Sequence, residues 1–249
     1  MKHFFLNMNT SSFVFEAFNI IHIILLTIVF ILFIVILYNK KNIRNLSHSK
    51  QKMIRIIFGV ILIMFYVLRR GSFLYYGVYN WKNHLSLGFC NMTNFMFIIY
   101  CFSGNKKLFN ICYYCAFCGP LLSILIPSVT VSINNFSFIN FKMIHHVVFL
   151  MNIVFAIFEN KRSSIKELFS AYKTMIIYIL LCYGFNFIFE TEYNFLNQFV
   201  VKGAQNINII SYIINSNVMN CIVLLCVGIT MNYIGHYVLN LTYDSNYDN

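Results

Sequence analysis

Charged residues are scarce in this chain, and their scarcity excludes most classes of soluble protein. Only 10% of the 249 residues are charged, whereas 59% are apolar and the mean hydropathy is +0.71. Soluble domains of this length carry about 25% charged residues. One core cannot bury so much apolar surface, so lipid must cover much of it. The predicted fold class is all-α, a polytopic transmembrane helical bundle.

The sequence also lacks an internal repeat, a long linker and a disulfide framework. We therefore expect residues 1–249 to form a single polytopic membrane domain. All eight cysteines fall within apolar runs, where free cysteine behaves as a small hydrophobe. Cys112, Cys115 and Cys118 repeat every third residue, but other metal-ligating side chains are lacking around them. That spacing favours packing or lipidation over metal binding, so we expect neither a metal nor a cofactor.

Hydropathy predicts about seven membrane spans. Each span needs about 20 apolar residues to cross ~30 Å of hydrocarbon. The second run is the weakest because Arg69 and Arg70 follow it. Its tail, Phe73 to Tyr79, either completes the crossing or lies along the interface. The seven predicted spans are residues 17–38, 55–68, 84–102, 108–127, 138–158, 171–190 and 216–238.

The basic residues predict the orientation of these spans. Most of the 18 lysine and arginine residues lie in the first, third and fifth connections between spans. Basic connections stay on the cytosolic side, so we expect an exoplasmic N-terminus and a cytosolic C-terminus. The net charge of +11 then reflects attraction to anionic lipid headgroups. Nucleic acid is not an expected partner.

A thiol and an imidazole are predicted at similar depth in two of the spans. Cys90 lies six residues after His84, or ~9 Å along a helix, and His146 lies eight residues after Phe138, or ~12 Å. Polar groups inside a bilayer are costly, so they indicate function by default. We predict one site at the level of the lipid esters. The side chains expected to support Cys90 and His146 are His84, Asn91, Asn94, His145, Asn186, Thr191 and Tyr193.

This pair of groups is suited to acyl transfer. A thiol becomes a strong nucleophile when a nearby base takes its proton. Asn94 or Asn186 would orient the base or hold the oxyanion. Simpler interpretations stay open, because Cys90 also fits a packing role and Lys142 also fits snorkelling to the interface. His145 and His146 point about 100° apart on an α-helix, so only one of them would face the thiol.

Four blocks of the sequence carry a family resemblance. Residues 84–91 read His-Leu-Ser-Leu-Gly-Phe-Cys-Asn, and residues 119–127 read Gly-Pro-Leu-Leu-Ser-Ile-Leu-Ile-Pro. Residues 141–147 contain His146, and residues 186–196 read Asn-Phe-Ile-Phe-Glu-Thr-Glu-Tyr-Asn-Phe-Leu. In this order the blocks resemble the YwaF-like integral membrane proteins, the group that includes eukaryotic transmembrane protein 164. The resemblance covers residues 84–197, a family-like core, with departures at Gly88, His145, Val147, Glu190 and Glu192.

The resemblance implies a membrane-embedded lipid acyltransferase of the eukaryotic branch. The motif cysteine, Cys90, would carry the acyl group as a thioester, and His146 would act as the base. The implied partners are membrane phospholipids or lysophospholipids, with the acyl donor unspecified. We expect an integral, multi-pass protein of the endoplasmic reticulum or another endomembrane.

Two other functions use the same residues. A small-solute transporter or channel would use the polar cluster as its midway site, although such proteins commonly contain repeats and none is visible here. A seven-span receptor with an exoplasmic N-terminus is a third interpretation. The sequence reads Gly104-Asn105-Lys106-Lys107 after the third span and lacks an Asn-Pro pair near the seventh, which disfavours a receptor.

Overall fold

The protein is mostly helical. The computed structural model describes residues 2–5, 14–85, 87–127, 131–191 and 217–245. Two segments, here called π1 (Phe117–Leu121) and π2 (Lys142–Val147), are π-helices. A two-residue antiparallel ladder joins β1 (Val14–Phe15) to β2 (Val131–Ser132). The α-helices are α1 (Lys2–Phe5), α2 (Ile20–Tyr38), α3 (Lys40–Arg44), α4 (His48–Tyr75), α5 (Trp81–His84), α6 (Phe89–Ser103), α7 (Lys106–Ala116), α8 (Leu122–Leu125), α9 (Phe136–Phe141), α10 (Val148–Glu159), α11 (Ile165–Phe189) and α12 (Asn217–Thr242).

Within the described residues, five helices are long and apolar enough to cross a membrane, which agrees with the predicted all-α membrane class. The finding supports five spans of the seven predicted, and it leaves the orientation a prediction. The shorter α6 lies in the third predicted span, and α12 coincides with the seventh. The five candidate spans are Ile20–Tyr38, His48–Tyr75, Lys106–Leu125, Phe136–Glu159 and Ile165–Phe189.

The second predicted span is longer than its apolar run. Helix α4 continues through Arg69 and Arg70 and ends at Tyr75, giving 28 residues, or ~42 Å. Ser47 caps its first turn by accepting a hydrogen bond from the Lys50 N–H. Of the predicted tail from Phe73 to Tyr79, the first three residues therefore continue α4, and Tyr76 to Tyr79 follow the end of the helix.

The third predicted span, residues 84–102, is wrong as one continuous helix. Helix α5 ends at His84, Leu85 and Gly88 are extended, and α6 begins at Phe89. The Leu87 carbonyl accepts the Tyr178 hydroxyl at 2.7 Å and the Cys182 thiol at 3.6 Å. Irregular backbone at membrane depth requires such protein partners, so α11 stabilises this break. Cys90 consequently lies in the first turn of α6, and the predicted two turns of helix above it are absent.

Two of the central helices contain π-helical turns. Pro120 lies inside π1 and has no N–H to donate, which disrupts the α-helical ladder. The Phe117 N–H bonds the Tyr114 carbonyl, and the Tyr113 carbonyl instead accepts the Asn152 amide at 3.2 Å. π-helical turns are rare and occur frequently at functional sites.

In the second π-helical turn, too, a side-chain amide bonds a backbone carbonyl. The Val148 N–H reaches back five residues to the Met143 carbonyl and also bonds the His145 carbonyl. The Ile144 carbonyl, between them, accepts the side-chain amide of Asn94 at 3.3 Å. A side chain of α6 thus supplies the donor for π2, and this contact fixes the two segments to each other.

The protein core lies around the two helices that contain π1 and π2. More than half of the most apolar stretch of each is buried, whereas less than a quarter of the corresponding stretch of α2, α4 or α11 is buried. Tyr113, Phe117 and Phe155 are fully buried there, together with Cys112 and Cys115. The predicted packing role of these two cysteines matches their burial.

A buried carboxylate lies at the end of α10. Glu159 accepts the Tyr100 hydroxyl at 2.7 Å, and its oxygens lie 3.7 Å from Arg55 and 3.5 Å from Lys106. These contacts join α4, α6, α7 and α10. Because the Glu159 side chain is only 8% exposed, its charge matters more than in a surface ion pair.

Glu159→Gln should destabilise the folded protein by about 3 kcal/mol, because the amide keeps the Tyr100 hydrogen bond but leaves Arg55, whose side chain is 13% exposed, without its counter-charge. The measurement is thermal loss of monodisperse protein in detergent. Glu190→Gln is the matched control, since Glu190 is 88% exposed and its Lys82 contact is 3.7 Å. Equal melting temperatures for the two variants would contradict the assigned role of Glu159.

Candidate functional site

Cys90 lies where α6 begins, against the helix that contains π1. Its Sγ is 3.3 Å from the Ser123 Oγ on α8. A Cβ built on Gly119 would lie 3.4 Å from both the Cα and the Sγ of Cys90, and 3.0 Å from the Phe89 ring. Glycine thus permits the π1 backbone to lie close to the thiol. We did not predict Ser123; the available signal was one hydroxyl within the apolar run Leu121–Ile126.

His146 is buried in π2 and contacts Lys142. The Lys142 Nζ lies 3.1 Å from the His146 Nε2, as expected for residues one turn apart. His146 is 5% exposed, and its Nδ1 is buried with no hydrogen-bond partner among the described residues. Lys142 also lies 4.9 Å from the centre of the Phe15 ring and 5.1 Å from that of Phe138. Aromatic faces therefore surround the amine inside the protein.

His145 is buried too, but it has a different partner. Its Nδ1 lies 3.0 Å from the Phe141 carbonyl, which can only accept, so Nδ1 carries the proton. Its ring packs against the Phe141 ring with centroids 4.4 Å apart. The hydrogen-bonded nitrogen is therefore Nδ1 in His145 and Nε2 in His146.

A third histidine, His22, belongs to the same region and was not predicted as a site residue. Its Nδ1 accepts the Phe18 N–H at 2.9 Å, so its Nε2 carries the proton and donates to the Ile124 carbonyl at 2.8 Å. Phe18 has φ of 62°, which is unusual for a bulky residue. His22 is fully buried. The hydrogen bond from His22 therefore holds Ile124, the residue that follows Ser123.

The thiol and the His146 ring belong to segments that pack together. Helix α6 contacts π1 and π2, and these two segments contact each other. Among the described residues, Cys90 is hydrogen-bonded to Ser123 and His146 to Lys142, and no hydrogen bond joins Cys90 to His146. The Asn94 Oδ1 is buried, and no described group lies within hydrogen-bond geometry of it. A direct Cys90–His146 dyad therefore stays a prediction.

The other predicted residues next to Cys90 occupy defined positions. Asn91 accepts the Tyr66 hydroxyl at 2.8 Å through its Oδ1. His84 stacks on Phe73 with centroids 4.1 Å apart, and its Nδ1 accepts the Asn80 N–H. Partial burial, with the nearby Arg70 and Arg69 guanidinium groups, lowers the pKa of His84 below its ordinary value. His84 thus lies beside the arginines of α4.

The residues predicted from the sixth span lie at the end of α11. The Thr191 hydroxyl donates to the Asn186 Oδ1 at 2.8 Å, and the Thr191 N–H bonds the Asn186 carbonyl. Both side chains are buried. These contacts close the last turn of α11, where Glu190 is left-handed with φ of 52°. Tyr193 lies outside the described residues.

The fold and these buried groups define a multi-pass membrane protein with a cysteine, a serine and three histidines in one region. The chain belongs to the TMEM164 family, because the model of that family matches residues 15–231. This match confirms the predicted family and extends beyond residues 84–197, so it also includes α2 and His22. No curated protein and no solved structure gave a significant match.

Proposed function

We propose that this protein is a membrane-embedded lipid acyltransferase that moves a fatty acyl group between phospholipids and lysophospholipids through a thioester on Cys90. The observation that carries the proposal is the Cys90 Sγ at the start of α6, 3.3 Å from the Ser123 hydroxyl, in a TMEM164-family membrane protein. A thiol that starts a helix lies beside backbone N–H groups that have no intrahelical partner. Such donors stabilise the oxyanion of acyl transfer.

In the first half-reaction, Cys90 sulfur attacks the carbonyl carbon of an acyl ester. The C–S bond forms, the ester C–O bond breaks, and the thiol proton passes through His146 to the departing lysolipid hydroxyl. In the second, the hydroxyl of another lysolipid gives its proton to His146 and attacks the thioester. A C–O bond forms, the C–S bond breaks, and the proton returns to sulfur. The two halves balance without any further reactant.

The hydrogen-bonding pattern of the two His146 ring nitrogens indicates the role of each in this mechanism. His146 Nδ1 is the proton-accepting atom, since Lys142 already holds Nε2. A neutral Lys142 amine accepts a hydrogen bond from Nε2–H, which leaves the Nδ1 lone pair available. Ser123 orients the thiol. Closing the separation between Cys90 and His146 requires substrate binding, because catalytic hydrogen bonds are often formed only in the complex.

We extend the proposal to location and orientation. The protein would lie in the endoplasmic reticulum or another endomembrane, with its N-terminus exoplasmic. Basic connections on the cytosolic side support this orientation. The reacting ester would then lie in the exoplasmic half of the bilayer, where Cys90 starts α6. The acyl donor is a membrane phospholipid.

The direct test is acyl transfer by purified protein in vesicles. Vesicles contain phosphatidylcholine with a labelled acyl chain and an unlabelled lysophospholipid with a different headgroup. We expect the label to move to the second headgroup and to be trapped on Cys90 in a form that hydroxylamine releases. Unlabelled Cys90 and no transfer, together with flux of a small solute through the vesicle wall, would favour a transporter.

Gly119→Ala should slow this transfer at least about tenfold while leaving the protein folded. The new methyl group would lie 3.0 Å from the Phe89 ring, so Phe89 must shift, and the neighbouring Cys90, whose sulfur would be in contact with the methyl at 3.4 Å, would shift with it. A misplaced reacting group of this kind can cost about 100-fold. The control is Gly184→Ala, where a Cβ meets nothing within 4 Å. Similar rates for both variants, measured with the labelled donor, would contradict the position assigned to the thiol.

A further inference from the structure

A small polar cleft lies between α4, α6 and the helix that contains π2. It encloses about 30 Å³, which exceeds the roughly 10–15 Å³ that one water molecule needs. None of the described side chains that line it is acidic. The lining residues are Tyr66, Arg69, Arg70, Asn91, Asn140 and Ile144.

Helix α4 contributes the positive charge of the cleft. Tyr66, Arg69 and Arg70 stand at positions i, i+3 and i+4, so they share one face of the helix. The Arg69 Nη1 donates to the Phe5 carbonyl at 3.1 Å, and its guanidinium lies 4.3 Å from the Phe73 ring centre. Two adjacent arginines in a membrane-crossing helix are costly, which indicates a function at their position.

Two asparagine side chains add hydrogen-bond donors to this positively charged cleft. The Tyr66 hydroxyl bonds the Asn91 Oδ1 at 2.8 Å, so the Asn91 NH₂ group remains to donate. Asn140 brings a second amide from α9. Guanidinium and amide donors around a small space match an anion with several oxygens, and guanidinium pairs with phosphate in a bidentate manner.

We infer that this cleft binds the phosphate group of a phospholipid and so places its acyl ester beside Cys90. This inference deepens the proposed function and rests on it for the identity of the reacting lipid. Asn91 directly follows Cys90, and Ile144 directly precedes His145. Through Asn91 the cleft therefore borders the first turn of α6, where Cys90 lies. A phosphate held by Arg70 orients the glycerol backbone toward the thiol.

Photolabelling in vesicles tests the inference without requiring turnover. The probes are a photoactivatable phosphatidylcholine and a photoactivatable diacylglycerol with the same acyl chains. Arg70→Gln should lower labelling by phosphatidylcholine roughly tenfold or more, as expected for loss of a charge-assisted hydrogen bond, and should leave diacylglycerol labelling unchanged. The control is Lys52→Gln, which removes one exposed positive charge from the other end of α4. Asn140→Ala, expected to lower labelling about threefold, serves if Arg70→Gln does not fold.

The outcomes separate the possible explanations. Inorganic phosphate at millimolar concentration should not compete with the lipid probe; full competition would assign the cleft to free phosphate and overturn the lipid assignment. Equal loss of both probes, or no loss in either Arg70→Gln or Asn140→Ala, would overturn the inference. Cys90→Ala should keep full labelling. Arg70-dependent labelling without acyl transfer by the wild-type protein would contradict the proposed enzyme activity and support phosphate binding in the cleft. Acyl transfer that Arg70→Gln does not change would contradict only the phosphate-binding role of the cleft.

Discussion

Replacing Cys90 with alanine should abolish acyl transfer and leave the helical bundle assembled. The substitution removes the only atom that forms the proposed thioester, so no acyl group can be held by the protein. The packing cost is small, because the substitution removes only the sulfur of a small side chain that is itself partly exposed. The measurement is the initial rate of label transfer between headgroups, with folding checked by size-exclusion behaviour in detergent.

Two further cysteine variants make this result specific. Cys101→Ala changes the same residue type on the same helix, eleven residues or ~16 Å away, in the buried core. It should keep most of the transfer activity. Cys90→Ser should be nearly as inactive as Cys90→Ala, because a hydroxyl is much harder than a thiol for an imidazole to activate. An active Cys90→Ala protein would reject the thioester mechanism outright.

The sequence predicted the parts of the fold that depend on hydropathy. Long apolar runs must be helical in lipid, since every backbone polar group needs an internal partner there. Helices α2, α4 and α11 accordingly lie where these runs do. The break at Leu85–Gly88 was missed because its residues are as apolar as a helix. It depends on Tyr178 and Cys182, which are distant in sequence and supply the replacement hydrogen bonds.

The candidate site was predictable only where its contacts are local. Lys142 and His146 are four residues apart, and their contact followed from helical spacing. The contacts of Cys90 with Ser123 and of His22 with Ile124 join residues from distant parts of the chain. They depend on π1, whose Gly119-Pro120 pair could equally have indicated a kink or a helix end. No periodicity distinguishes these outcomes.

His146→Ala should lower the transfer rate about 10²–10⁴-fold, the usual contribution of a general base. In the part of the chain that the structure describes, its Nδ1 is buried without a partner, whereas the Nδ1 of His145 already bonds the Phe141 carbonyl. His145→Ala is therefore the comparison variant, and its loss should be smaller. Because Cys90 and His146 act as a unit, the double alanine variant should be hardly worse than Cys90→Ala alone. A large loss in His145→Ala and a small one in His146→Ala would move the base to His145.

Lys142 variants decide how the His146 ring is held. In the proposed mechanism the His146 Nε2–H donates to a neutral Lys142 amine, so the partner must accept a hydrogen bond. Arginine has five donors and no acceptor, and it stays charged. Lys142→Arg should therefore be as slow as Lys142→Met, with both at least about tenfold below wild type in the same label-transfer assay. Full activity in Lys142→Arg, beside a slow Lys142→Met, would mean that Lys142 donates to Nε2. The proton would then reside on Nδ1, and His146 could not be the base that activates Cys90.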